Sequence, residues 1–144
     1  MVCLGNICRS PLAEGILKSK VDSSKVIVDS AGTGDWHVGN EPDKRSIAVG
    51  KKYNIDITDQ RGRKFTTKVF DEFDFIYVMD NSNKENVLAL AENKHHKEKV
   101  KLILNEIFPG ENVDVPDPYF GGDSGFESVF KMLDEACEQI AENI

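Results

Sequence analysis

The chain has 144 residues, 40% of them hydrophobic and 30% charged, which fits one soluble globular domain large enough to bury a core. Its net charge of −7 argues against nucleic acid or an anionic membrane surface as partner. No apolar run approaches the ~18 residues of a membrane-spanning helix and no signal-peptide pattern precedes Cys3, so a cytoplasmic location is expected.

The first nine informative residues, Cys3-Leu4-Gly5-Asn6-Ile7-Cys8-Arg9-Ser10-Pro11, carry the chemistry. Ser10 suits a helix N-cap and Pro11 the first helical position, which predicts a helix from Pro11 to about Val21. A loop that feeds a helix N-terminus aims unpaired backbone N–H groups at one spot and attracts phosphate there. A thiol at the start of that loop, Cys3, feels the same field, which favours thiolate. Arg9 can fork two hydrogen bonds onto a phosphoryl group above the sulfur.

Further along, Lys25–Val28 reads as a strand, Ala31–Asn40 as a glycine-rich loop carrying Trp36, and Pro42 to about Tyr53 as a second helix. A helical turn near Thr66–Asp71 precedes Phe73–Met79, the strongest strand pattern in the chain. Ser82 is the expected cap of a helix to about Glu92, and Lys94–Lys99 reads as its solvated end. Val100–Leu104 reads as a fourth strand and Asn105–Ser124 as a long loop. From Gly125 a closing helix places Phe126, Val129, Phe130, Leu133, Ala136, Cys137 and Ile140 on one face. Strands alternating with helices predict an α/β fold with a four-stranded parallel sheet covered on both faces. Ligands bind such sheets beyond the strands' carboxyl ends, where the loops Cys3–Ser10 and Ser30–Asn40 and residue Asp80 fall.

The loop Cys3–Pro11 resembles the active-site loop of the low-molecular-weight protein tyrosine phosphatases, and Asp117-Pro118-Tyr119 matches their second signature. The similarity continues through Asp29-Ser30-Ala31-Gly32-Thr33, Trp36, Pro42-Asp43 and Met79-Asp80, so it covers nearly all of residues 1–144, read as a single domain. It implies a flavodoxin-like three-layer sandwich and hydrolysis of phosphotyrosine proteins or peptides by a monomer or weak dimer, with no metal or cofactor. Only Met1 and Val2 precede Cys3, where the family carries several more apolar residues. That implies a chain begun at an internal methionine or an unusually short first strand.

Several residues admit two readings. Asp117, beside Pro118, is a natural turn-former; the resemblance makes it the general acid for a phenolate whose conjugate acid has a pKa of ~10. Trp36 is either a core anchor or an aromatic wall of the substrate cleft, with Tyr119 facing it by resemblance. Asp80 is a helix-start acid or an orienting partner for Arg9. Cys8 is a small buried side chain or, by resemblance, the partner of Cys3 in a reversible disulfide. Leu4, Gly5, Asn6, Ile7, Cys8 and Arg9 are expected around the phosphate, with Ile7 also facing the substrate ring. Asn6, Ser10 and Ser30 are expected to support the loop, and Gln60 to replace a histidine that the family places in that network. Phosphoarginine-specific relatives carry threonine where Ile7 stands. Asp114 reads as solvated, Cys137 as core, and His37, His95 and His96 as surface residues without metal-ligand spacing.

Two other functions fit less well. An arsenate reductase on this fold needs a cysteine relay, and no cysteine lies between Cys8 and Cys137. A phosphate-binding module without catalysis lacks either nucleophile or acid, whereas Cys3 and Asp117 are both present.

Overall fold

The computed structural model describes residues 1–144. Four parallel strands, β1 (Val2–Cys3), β2 (Ala31–Gly32), β3 (Ile76–Val78) and β4 (Val100–Leu102), lie in the order β2-β1-β3-β4. Val2 pairs with both Ala31 and Val78, and Ile76 pairs with Val100. The helices are α1 (Arg9–Lys18), α2 (Lys44–Lys52), α3 (Val69–Glu72), α4 (Asn81–Leu88), α5 (Lys94–Lys99) and α6 (Asp123–Glu142).

Alternation along β3 shows why the sheet has two covered faces. Tyr77 belongs to a core shared with Leu12 and Ile16 of α1 and Phe126, Leu133 and Ile140 of α6. Its neighbours Ile76 and Val78 point the other way, into a core with Phe65, Phe70 and Val87. The result is the flavodoxin-like three-layer α/β sandwich. All seven apolar residues of the expected α6 stripe are buried. Because β2 and β3 flank β1 on opposite sides, the chain changes direction at β1 and opens a crevice at its carboxyl end, beside Cys3.

Several boundaries differ from expectation for local reasons. Helix α1 begins at Arg9, and Ser10 sits inside it, its hydroxyl turned to Cys3 rather than capping the backbone. Asp80, not Ser82, caps α4, accepting from the Asn83 N–H at 2.7 Å. The fourth strand stops at Leu102 and tightens into a 3-10 turn over Ile103–Glu106. Residues 94–99 form their own helix, capped by the Asn93 side chain. His96 is not a surface residue: it is 6% exposed and stacked 4.5 Å from the Phe70 ring, and its Nδ1 accepts from the Glu92 N–H.

The largest departure is Lys25–Val28, which joins no strand, while β2 forms only at Ala31–Gly32. The cause is the partner. Met1 reaches back to Asp29, where its amino group donates to the carbonyl at 3.0 Å, and no residue of β1 lies beside Lys25–Val28. Ile27 is left 81% exposed. A groove of about 720 Å³ opens there, walled by Val26, Val28, Phe73, Phe75, Tyr77 and Ile140. Burial also pushes the pKa of the Met1 amine below its ordinary value. Four apolar residues added before Met1 would turn that amine into an amide and fill the groove as a further length of β1 beside Val26 and Val28. The melting temperature of the extended chain should rise by roughly 5–10 °C, given net gains of about 1 kcal/mol per ladder bond and further apolar burial. A melt no higher than that of residues 1–144 would show that the short β1 suffices.

Candidate active site

The loop between β1 and α1 curls around the Cys3 sulfur. The Asn6 N–H points at Cys3 Sγ from 3.3 Å, and Ser10 Oγ lies 3.0 Å from it. Asn6 makes the curl possible by adopting φ 57°, a left-handed conformation that asparagine tolerates better than most residues. Such a conformation persists when its surroundings enforce it. Here the Asn6 side chain donates to Ser10 Oγ at 2.8 Å and Ser30 Oγ at 2.9 Å, and accepts the Arg63 N–H at 2.9 Å. The first turn of α1 contains no acidic residue, so its N-terminal field on the loop is unopposed.

Arg9, 2% exposed, opens α1 and is held at one end of its guanidinium. Its Nη1 donates to Asp80 Oδ2 at 2.7 Å and to the Val115 carbonyl at 2.9 Å. The same Asp80 caps α4 with its other oxygen, so the two roles considered for it are both filled. Arg9 Nη2 lies 3.7 Å from Asp117 Oδ2, beyond hydrogen-bond length, leaving its protons available to an anion in the cleft. The two oxygens of Asp117 are placed differently: Oδ1 accepts the Tyr119 N–H at 3.0 Å in a local turn, while Oδ2 faces Arg9. Asp114, expected as merely solvated, is exposed but accepts from Asn81 N and Nδ2.

One residue with no sequence signal fixes the Asp117 loop. Arg45 donates to the Tyr119 and Gly121 carbonyls, pairs with Asp43, and lies over the Tyr119 and Phe126 rings. The cleft so formed, of about 150 Å³, is lined by Cys3, Ile7, Arg9, Trp36, Asp117 and Tyr119, with Leu4 and Gly5 also on its wall. Trp36 is 69% exposed on the rim, not in the core; its ring lies over Gly34, where a Cβ would meet it at 2.0 Å. His37 also lines the cleft, packed against Gly5 so closely that a Cβ there would meet its ring at 3.1 Å. Cys8 is buried, and burial with the nearby Asp43 charge pushes its thiol up to about 12. It is therefore a protonated thiol at neutral pH, and no disulfide links it to Cys3. Cys137 lies in the core.

Behind the loop, Ser30 Oγ donates to Glu14 Oε1 at 2.7 Å. Gln60 does not join this network: its Nε2 donates to the Pro11 carbonyl and its Oε1 has no partner. The Arg63 backbone and the Glu14 carboxylate occupy that ground instead. Glu14 carried no sequence signal beyond being an acid in the helical stretch, because the contact arises across 16 residues.

The sequence profile of the family described as low molecular weight phosphotyrosine protein phosphatase matches residues 1–144. A putative low molecular weight protein-tyrosine-phosphatase of Synechocystis is 43% identical over 140 residues, spanning 94% of this chain and 88% of that one. A protein tyrosine phosphatase from Entamoeba histolytica, solved with Hepes in its active site, superposes with a TM-score of 0.89. It is 38% identical, over 96% of this chain and 90% of its own. A structure described as Drosophila arginine phosphatase superposes with a TM-score of 0.88 at 35% identity, over 99% and 94% of the two chains. Fold and relatives define the class: a phosphatase of the hydrolase type built on a parallel α/β sandwich. The chain belongs to the low molecular weight phosphotyrosine protein phosphatase family.

Proposed function

We propose that the chain hydrolyses phosphotyrosine in proteins or peptides through a phosphorylated Cys3. The observation that carries this reading is the convergence of Cys3 Sγ, the free edge of Arg9 and Asp117 Oδ2 on one cleft. In the first step the Cys3 thiolate attacks phosphorus in line. The S–P bond forms as the bond to the phenolic oxygen breaks, and the Asp117 carboxyl gives its proton to that oxygen. In the second, ionised Asp117 takes a proton from water, whose oxygen attacks phosphorus and returns the electron pair to sulfur. Arg9 Nη2 and the loop N–H groups balance the phosphoryl charge throughout. Asp80 and the Val115 carbonyl hold Arg9 so that this clamp needs no rearrangement. The chemistry needs a reduced thiol, which suits the cytoplasm.

The Drosophila relative brings a second reading, phosphoarginine, and Ile7 weighs against it. Ile7 lines the cleft and is 9% exposed, so it offers a phenyl ring apolar contact and a guanidinium group no hydrogen-bond partner. Phosphoserine is too short to bring phosphorus down to a sulfur 3% exposed. Phosphotyrosine peptides should be preferred strongly over phosphoserine and phosphoarginine peptides in kcat/KM. Trp36→Ala should cost on the order of 1–2 kcal/mol with aryl substrates through lost aromatic packing. Comparable kcat/KM on phosphoarginine and phosphotyrosine would sink the assignment of Ile7 while leaving the Cys3, Arg9 and Asp117 roles intact.

A further inference from the structure

Glu14 lies on α1, one turn beyond Ser10, and is 3% exposed. A buried carboxylate is rarely needed for stability, since an apolar side chain of like volume commonly serves as well or better. Its engagement therefore calls for another explanation. Oε2 accepts from Lys18 Nζ at 2.5 Å, and Lys18 itself is half exposed. Oε1 accepts from Ser30 Oγ at 2.7 Å. The Met1 amine also faces Glu14, and burial lowers its pKa, so Lys18 is the carboxylate's hydrogen-bonded cation.

From Ser30 the hydrogen bonds run without a gap to the Cys3 sulfur, and their directions follow from donor counting. A carboxylate only accepts, so the single Ser30 hydroxyl proton points at Glu14 and its lone pairs face Asn6. The Arg63 N–H occupies Asn6 Oδ1, which turns both Nδ2 protons toward Ser30 and Ser10. Ser10 receives one of them and keeps its own proton for Cys3 Sγ, 3.0 Å away. A hydroxyl donating to sulfur stabilises the thiolate.

We propose that Glu14 is a positioning residue that, through Ser30 and Asn6, holds the Ser10 hydroxyl as a donor to the Cys3 sulfur. Its effect on turnover rests on Cys3 being the nucleophile; its effect on the reactivity of the sulfur does not. Without the carboxylate, Ser30 loses the acceptor that orients it and Asn6 loses firm support for a left-handed backbone.

The test uses the full chain with Glu14→Met, Glu14→Gln and Lys18→Ala. Alkylation of Cys3 by iodoacetate is followed against pH by peptide mass, beside kcat and KM on an aryl phosphate and the melting temperature. Burial pushes the thiols of Cys8 and Cys137 up to about 12, so alkylation near neutral pH reports on Cys3. Glu14→Met should melt no lower than wild type, yet its alkylation profile should move to higher pH. Its kcat should fall about ten-fold with KM within about two-fold, the scale of coupling in a hydrogen-bonded network. Glu14→Gln keeps an acceptor for Ser30 and should recover both quantities to within about three-fold, and Lys18→Ala should match wild type. An unshifted Glu14→Met alkylation profile overturns the assignment. Should that variant not fold, Ser30→Ala breaks the next link and must shift the profile in the same sense; no shift there is equally fatal. Turnover that survives Cys3→Ser, with the Glu14→Met shift present, would reject the nucleophile and keep the positioning role.

Discussion

Cys3→Ser should bring aryl phosphate turnover below ~1% of wild type while leaving the fold in place. The substitution swaps sulfur for oxygen in a side chain 3% exposed, and β1 pairing through Val2 and Cys3 involves the backbone alone. What changes is the atom proposed to attack phosphorus. A serine hydroxyl is hardly ionised where a thiol is, and no side-chain base is hydrogen-bonded to Sγ to take its proton: its partners are the Ser10 hydroxyl and the Asn6 N–H. Neither Cys8 nor Cys137 can take over, since burial keeps both protonated. Residual turnover above that level in contaminant-free protein would mean that another group attacks phosphorus.

Asp117→Asn separates the proposed acid role from the loop contact of the same residue. The amide oxygen can still accept the Tyr119 N–H, and Arg45 still ties the Tyr119 and Gly121 carbonyls, so the loop should keep its place. Proton donation to the leaving oxygen is lost. For phenyl phosphates whose phenols have a pKa near that of tyrosine, kcat should fall by about 10²–10⁴. Esters of more acidic phenols need less help and should suffer less, so the variant's rate should depend steeply on leaving-group pKa where that of wild type is nearly flat. A uniform loss across the series would assign Asp117 to loop geometry instead.

How much could be read from the amino acids follows from the range of the interactions. Phe126 to Ile140 repeat at helical spacing, and that periodicity alone places α6 and its buried face, because helical hydrogen bonds close within four residues. The crowding of Cys3, Asn6, Arg9 and Ser10 into one loop was equally readable, since the chain itself keeps them together. Lys25–Val28 has strand composition but no strand, because a strand is completed by its neighbour and β1 offers only Val2 and Cys3. Composition could not report the length of the partner.

Tertiary structure decided the contacts that cross the chain. Asp80 stands 71 residues from Arg9 and satisfies it with one oxygen while capping α4 with the other, so alternatives that look exclusive along the sequence coexist in space. His96 looks like part of a charged run, yet the Phe70 ring covers it. Gln60 stood in the right stretch to support the loop, but Glu14 and the Arg63 N–H do so. Fold class was legible in the alternation of strand and helix patterns, and the curl of Cys3–Ser10 around the sulfur rests on contacts that span only a few positions. Which distant side chains hold that loop, Arg9 and the Asp117 turn was decided by packing, because hydrogen bonds between helices and strands depend on distances that no local pattern encodes.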